Sequence, residues 1–159
     1  MNAPSIAGLP RWYVTDQLRE FRREQRGSDE GDYAGNLMQI KAKALNERDL
    51  AFVGRFIESM TPNAERATMG LTISPRGQRH YAAHCASCHG PEAEGGKRER
   101  APPLNRQPDW YLLKQLTDFR TGTREHGRDV AVTEPSEDVA QAIVAWLASL
   151  PVVASEADQ

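Results

Sequence analysis

The 159-residue chain carries 20 Lys and Arg against 22 Asp and Glu, a formal net charge of -2, with four His and only two Cys. No stretch approaches the roughly 18 apolar residues of a membrane-spanning helix, and the near-balanced charge gives no reason to expect a nucleic-acid partner. With 39% hydrophobic residues and 12 Gly, the apolar content lies just under the ordinary globular range of about 45–50%, which excludes wholesale disorder. Two cysteines three positions apart are no disulfide framework for a chain of this length, so they are incidental or a chemical motif.

The first predicted element follows Pro10, with Val14, Leu18 and Phe21 on one face of an amphipathic helix of about four turns. Gly35-Asn36-Leu37-Met38 falls in the loop after it, and Asn46 is placed to cap a second helix whose Val53, Phe56, Ile57 and Met60 share a face. Residues 61–72 read as a linker. Ser74-Pro75 then supplies an N-cap with proline at the first helical position, and the helix it opens runs into Cys85-Ala86-Ser87-Cys88-His89. Gly90, Gly95 and Gly96 suit a tight path from there to Pro102-Pro103-Leu104. Another amphipathic helix carries Leu112, Leu116 and Phe119. After a short loop with His126, Ser136 is placed to cap a last helix with Ile143, Trp146, Leu147 and Leu150 on one face. The tail 151–159 reads as frayed.

The chain also repeats itself. Ala3-Pro4 through Arg26 aligns with Ala101-Pro102 through Arg124 at a constant offset of 98. Pro10, Trp12, Tyr13, Gln17, Leu18, Phe21 and Arg22 recur as Pro108, Trp110, Tyr111, Gln115, Leu116, Phe119 and Arg120. The last helices of the two copies align at an offset of 90, so the second copy lacks eight residues of the intervening loop. The first copy in turn lacks any counterpart of the 27 residues from Ser74 to Arg100. The Trp-Tyr pair at the start of each repeated helix reads as core.

Cys85 to His89 follows the C-x-x-C-H pattern of covalent haem attachment. Two thiols on one helical turn are spaced to add to the two vinyl groups on one edge of a porphyrin, and the adjacent imidazole reaches the iron from the same side. Three other readings compete. A structural zinc site normally draws on two separated ligand pairs, and there is no second Cys pair. A thioredoxin-like redox pair calls for a βαβ setting, and the chain has almost no strand-like alternation. The third is chance.

Around this motif, residues 73–150 resemble a class I c-type cytochrome domain, an all-α fold. Gly77 and Tyr81 match the family's Gly-x-x-x-aromatic pattern, with Trp146 as the matching aromatic of the C-terminal helix, and Pro102-Pro103-Leu104 resembles its Pro-x-Leu segment. The resemblance implies one haem c held through Cys85 and Cys88, with His89 as proximal ligand. It further implies that the Pro102 carbonyl accepts the imidazole Nδ1 proton and that Leu104 packs on the porphyrin. The family's sixth ligand is a methionine from the loop that the second copy has shortened. By position Met38 is the tentative sixth ligand, His126 the alternative and Met69 a further one, and an open site is the remaining possibility. His80 and His84, on the helix leading into the motif, read as surface histidines.

Residues 1–60 in turn resemble a partial cytochrome domain without its haem half, and the whole chain resembles the dihaem two-domain cytochromes of bacteria. Without a first helix and a porphyrin, Val14, Phe21, Val53 and Phe56 are expected to lack their usual partner. So small a unit needs outside support: the second domain, another copy of the chain in a homodimer, or a larger parent complex. Covalent haem implies the periplasm, yet the start at Met1 has no charged n-region and apolar h-region. An internal start at Met1, with a first haem motif upstream, would reconcile the two; the alternative is a natural monohaem protein with a degenerate first domain.

The expected function is one-electron transfer between redox protein partners of a bacterial respiratory or related chain, such as an oxidase, reductase or dehydrogenase. No substrate chemistry of its own is expected. The alternative is a haem with an open distal site that binds small gases or peroxide. From Gly95 to Arg128, eight Lys or Arg face four Asp or Glu. This is either a basic rim that steers an acidic partner or a mixed solvated surface.

Overall fold

The computed structural model describes residues 3–62, 66–126 and 135–152. Met1, Arg128 and most of the tail expected to fray lie outside the described residues. Helix α1, Arg11–Arg22, buries Val14, Leu18 and Phe21, the face anticipated from their spacing. Helix α2, Tyr33–Lys43, starts where the Asp32 carboxylate accepts the Gly35 amide. Helix α3, Glu47–Glu58, is started by a full capping box: the Asn46 side chain accepts from the Asp49 amide, and the Asp49 side chain accepts from the Asn46 amide. These three helices enclose Leu9, Val14, Leu18, Phe21, Ala42, Leu50 and Ile57.

One expectation is corrected here. Gly35 to Met38 is helical rather than loop, because Asp32 caps it and Gly35 lies directly against the backbone of Gly27. Gly27 has φ +75° and any Cβ there would run into the Gly35 carbonyl, so the chain reverses closely enough to start α2 only with glycine at that point.

The second half contains α4, Pro75–His84; α5, Ala86–His89; α6, Asp109–Thr121; and α7, Glu137–Ser149. Helix α4 crosses α7 at Gly77, where a Cβ would collide with the Ala142 carbonyl. Tyr81, Ala93, Leu112, Val139, Ile143, Val144 and Leu147 form the core of this half. Among the described residues the only extended pairing is one isolated bridge, Gly96 with Ala101. Ser74 and Ser136 occupy their N-cap positions without a side-chain cap bond, and the Ser136 hydroxyl turns to Asp138 instead.

The two halves meet through polar side chains from equivalent positions of the repeat. Arg26 donates to the Tyr111 hydroxyl at 2.8 Å and to Gln115 Oε1 at 3.3 Å. Arg124 donates to the Tyr13 hydroxyl at 3.3 Å and to Gln17 Oε1 at 2.9 Å. Each pair maps onto the other at the offset of 98, which gives the seam a local two-fold character. Nearby, Arg106 donates to the Gly8 carbonyl and Gln107 Nε2 donates to the Ser5 carbonyl. Within the expected linker, Thr68 and Met69 donate their amides to Asp109 at 2.9 and 2.8 Å, and Arg66 donates to the Asn105 and Leu150 carbonyls. That stretch is fastened to the start of α6.

Candidate functional site

Cys85 ends α4 and begins α5, and its carbonyl accepts the amides of Cys88 at 3.2 Å and His89 at 3.0 Å. That single tight turn puts both thiols and the imidazole on one short segment. The segment is held from behind by Tyr81, whose hydroxyl donates to the Gly90 carbonyl at 2.7 Å and whose ring lies 4.8 Å from that of Trp146 on α7. The following loop folds back on itself. The Gly95 amide bonds the His89 carbonyl at 2.8 Å, and the Leu104 amide bonds the Ala93 carbonyl at 2.8 Å.

This fold-back carries Pro102 to His89, placing its carbonyl 2.9 Å from Nδ1, and packs Leu104 against the core. The His89 side chain is buried, and burial pushes its pKa down to about 4, with a smaller opposing effect of the Pro102 bond. His89 is therefore neutral at physiological pH. With Nδ1–H donated to the carbonyl, Nε2 carries the lone pair, which is the form a metal requires.

The thiols argue against the redox reading. Burial, with a minor contribution from Cys88, pushes the Cys85 thiol up to about 11, whereas a redox-active pair needs a lowered value. No cluster of three or more His, Cys, Asp or Glu poised for a metal ion exists among the described residues, as a zinc site would need. What remains fits a porphyrin: two thiols one turn apart, a neutral imidazole with its free nitrogen fixed by the other, and an orphaned second imidazole close by. That second ring is His126. Its centroid is 6.1 Å from that of His89, it meets the Phe119 ring edge-on at 4.7 Å, and its Nδ1 is buried with no hydrogen-bond partner among the described residues.

The other sixth-ligand positions are not brought to His89. Met38 lies half-exposed on α2, whose helix packing is against α1. Met69 is exposed beside the start of α6. His80 and His84 stack on each other at 4.5 Å, with His84 exposed, as a surface pair.

Residues 74–151 match the cytochrome c family. They form a class I c-type cytochrome domain. Its cofactor is covalent haem c, and its all-α fold agrees with the expectation from sequence. The chain is similar to cytochrome c4 of Azotobacter vinelandii, 29% identical over 138 residues that make up 80% of this chain and 65% of that cytochrome. It is also 29% identical to a thiosulfate dehydrogenase electron acceptor of Stutzerimonas stutzeri, over 92% of this chain and 70% of that protein. The structure of a cytochrome c4 from Acidithiobacillus ferrooxidans has the same fold, with a TM-score of 0.72 and 22% identity over 92% of this chain and 89% of that one.

The structure refines two readings from sequence. Four of the eight basic residues from Gly95 to Arg128 are engaged: Arg100 pairs with Asp16, Lys114 with Asp118 and Asp32, and Arg106 and Arg124 bond across the seam, which favours the mixed surface over a basic rim. Of the Trp-Tyr pairs, Tyr13 packs against the first core as expected, and Tyr13 and Tyr111 additionally present their hydroxyls to Arg124 and Arg26. The recurrence of polar Gln17 and Gln115 inside otherwise apolar helix faces was the available sign of that seam.

Proposed function

We propose that this cytochrome carries single electrons between redox proteins of the bacterial periplasm, and that one of its donors is a dehydrogenase that oxidises a small sulfur oxyanion such as thiosulfate. The observation that carries the electron-transfer reading is the neutral, buried His89 fixed on Pro102 beside two thiols on one turn. The donor follows from the similarity to the thiosulfate dehydrogenase electron acceptor. Here residues 73–150 are the haem domain, 1–60 a partial cytochrome domain and 61–72 the connection between them. The two separate hydrophobic cores support that division.

Cys85 and Cys88 would hold the porphyrin, and His89 Nε2 would take the iron. When bound, the haem supplies a one-electron couple whose potential follows its axial ligands and surroundings. The Pro102 carbonyl orients the imidazole and raises its basicity, Leu104 gives the site an apolar wall, and Tyr81 and Trp146 keep the ligand turn from shifting against α7.

The test is to mature the chain in a periplasmic haem-attachment system. A haem stain should persist on a denaturing gel for the wild type and vanish for C85A/C88A. The oxidised cytochrome, mixed with thiosulfate and a thiosulfate dehydrogenase, should then become reduced. A covalently loaded cytochrome that stays oxidised would remove that donor while leaving the haem reading in place.

A further inference from the structure

The chain has four methionines, at positions 1, 38, 60 and 69, and none after His89. The loop between α6 and α7 is the one shortened by eight residues relative to the first copy. It cannot bring a sulfur to the iron. At the end of α6 it brings an imidazole instead.

The spacing of that imidazole is informative. His80 and His84, with nothing between them, close to a ring separation of 4.5 Å, whereas His89 and His126 are held at 6.1 Å. Two imidazoles on opposite sides of one metal, each bonded at about 2 Å, place their ring centroids about 6 Å apart. The His126 ring is held edge-on by Phe119, and Phe119 is in turn covered by the Arg124 guanidinium at 5.0 Å. The buried Nδ1 of His126 has no hydrogen-bond partner among the described residues, and a buried polar atom left without a partner is costly. An iron between the two rings accounts for the separation and gives the His126 imidazole a partner.

We infer that His126 is the sixth ligand of the haem iron, completing a bis-histidine site with His89. The inference rests on the haem reading above. It replaces the methionine that class I domains use with an imidazole that the described part of the shortened loop holds next to the proximal histidine. Two histidines leave the reduction potential lower than a histidine–methionine pair would, so the site suits a carrier filled by a donor of low potential. Ligation at both axial positions also closes the iron to gases and peroxide.

The experiment compares matured wild type, H126A, H126M and M38A by haem stain, absorption and electron paramagnetic resonance in both redox states, carbon monoxide binding and redox titration. Wild type is expected to be low-spin, to lack the sulfur-to-iron absorption band and to bind no carbon monoxide. H126A should become high-spin and bind carbon monoxide stoichiometrically, H126M should gain the sulfur band and a raised potential, and M38A should match wild type. Low-spin wild-type spectra retained by H126A, or a sulfur band lost in M38A, would overturn the assignment with the covalent haem still in place. A wild-type chain without covalent haem would overturn the electron-transfer reading itself, and the ligand with it.

Discussion

The last helices of the two halves descend from one pattern and end in different surroundings. In the second half, Trp146 of α7 lies 4.8 Å from the Tyr81 ring because α4 crosses at Gly77. In the first half, Phe56 holds the equivalent position on α3 and is 67% exposed, with Phe52 on the same helix also exposed. Among the described residues no helix comparable to α4 lies over that face. Yet Val14 and Phe21, expected to suffer from the missing helix, are each only 7% exposed, and Val53 packs on the same core. Helices α1, α2 and α3 therefore close a core between themselves, and the absent element uncovers only the outer face of α3.

That contrast is open to direct tests. Replacing Trp146 with Ala removes a large side chain wedged between α4 and α7. It should cost about 3 kcal/mol in denaturant titrations, the low end for buried aromatics because the ring is only partly enclosed. F56A in the first half should fall within about 0.5 kcal/mol of wild type. Equal losses would mean that Phe56 is covered in solution.

The glycines of the two halves give a smaller effect of the same kind. G77A forces a Cβ into the Ala142 carbonyl, where backbone has no means to yield, and should destabilise by about 1–3 kcal/mol. G54A meets the Thr15 methyl at 3.0 Å and the Arg11 Cβ and carbonyl oxygen at 3.3 Å, against 2.0 Å at Gly77, so its cost should be well under half as large. Matching thermal shifts for the two variants would break the comparison.

The smallest expected effect belongs to the first half alone. Glu47 at the start of α3 accepts from Arg19 of α1 at 2.7 Å and also from Arg22, and these bonds hold its carboxyl at about 2. A lowered value means that the carboxylate favours the folded state above its ordinary pKa of 4.5 and that this support fades as pH falls toward 2. The group is exposed, so the effect is modest. E47Q should reduce the pH dependence of first-half unfolding in that window and leave the second half unchanged, measured by acid titration with hydrogen exchange.

Much of the site is legible in the sequence: the ligand turn follows from the spacing of Cys85, Cys88 and His89, and the Gly77–Tyr81–Trp146 contact and the Pro102 fold-back from the resemblance to class I cytochrome domains. The helical state of Gly35 to Met38 was missed because it hangs on a close approach of Gly27 to Gly35, which no periodicity records. The seam was missed for a related reason: beside local bonds such as Gln17 to Glu20, the polar groups of Tyr13, Gln17 and Arg26 bond to residues 85 to 111 positions away.

What the sequence by itself determined is everything local: helices with their apolar faces, a haem-attachment turn, a duplication with complementary losses. Those follow from the helical period and from the fixed reach of side chains along one turn. Only the tertiary structure decided which unit closes its own core, how the arginines of the repeat knit the halves together, and which side chain stands near His89. His126 is 37 residues beyond His89 in the chain, and the packing of α6 and the position of Phe119 set the distance between their rings.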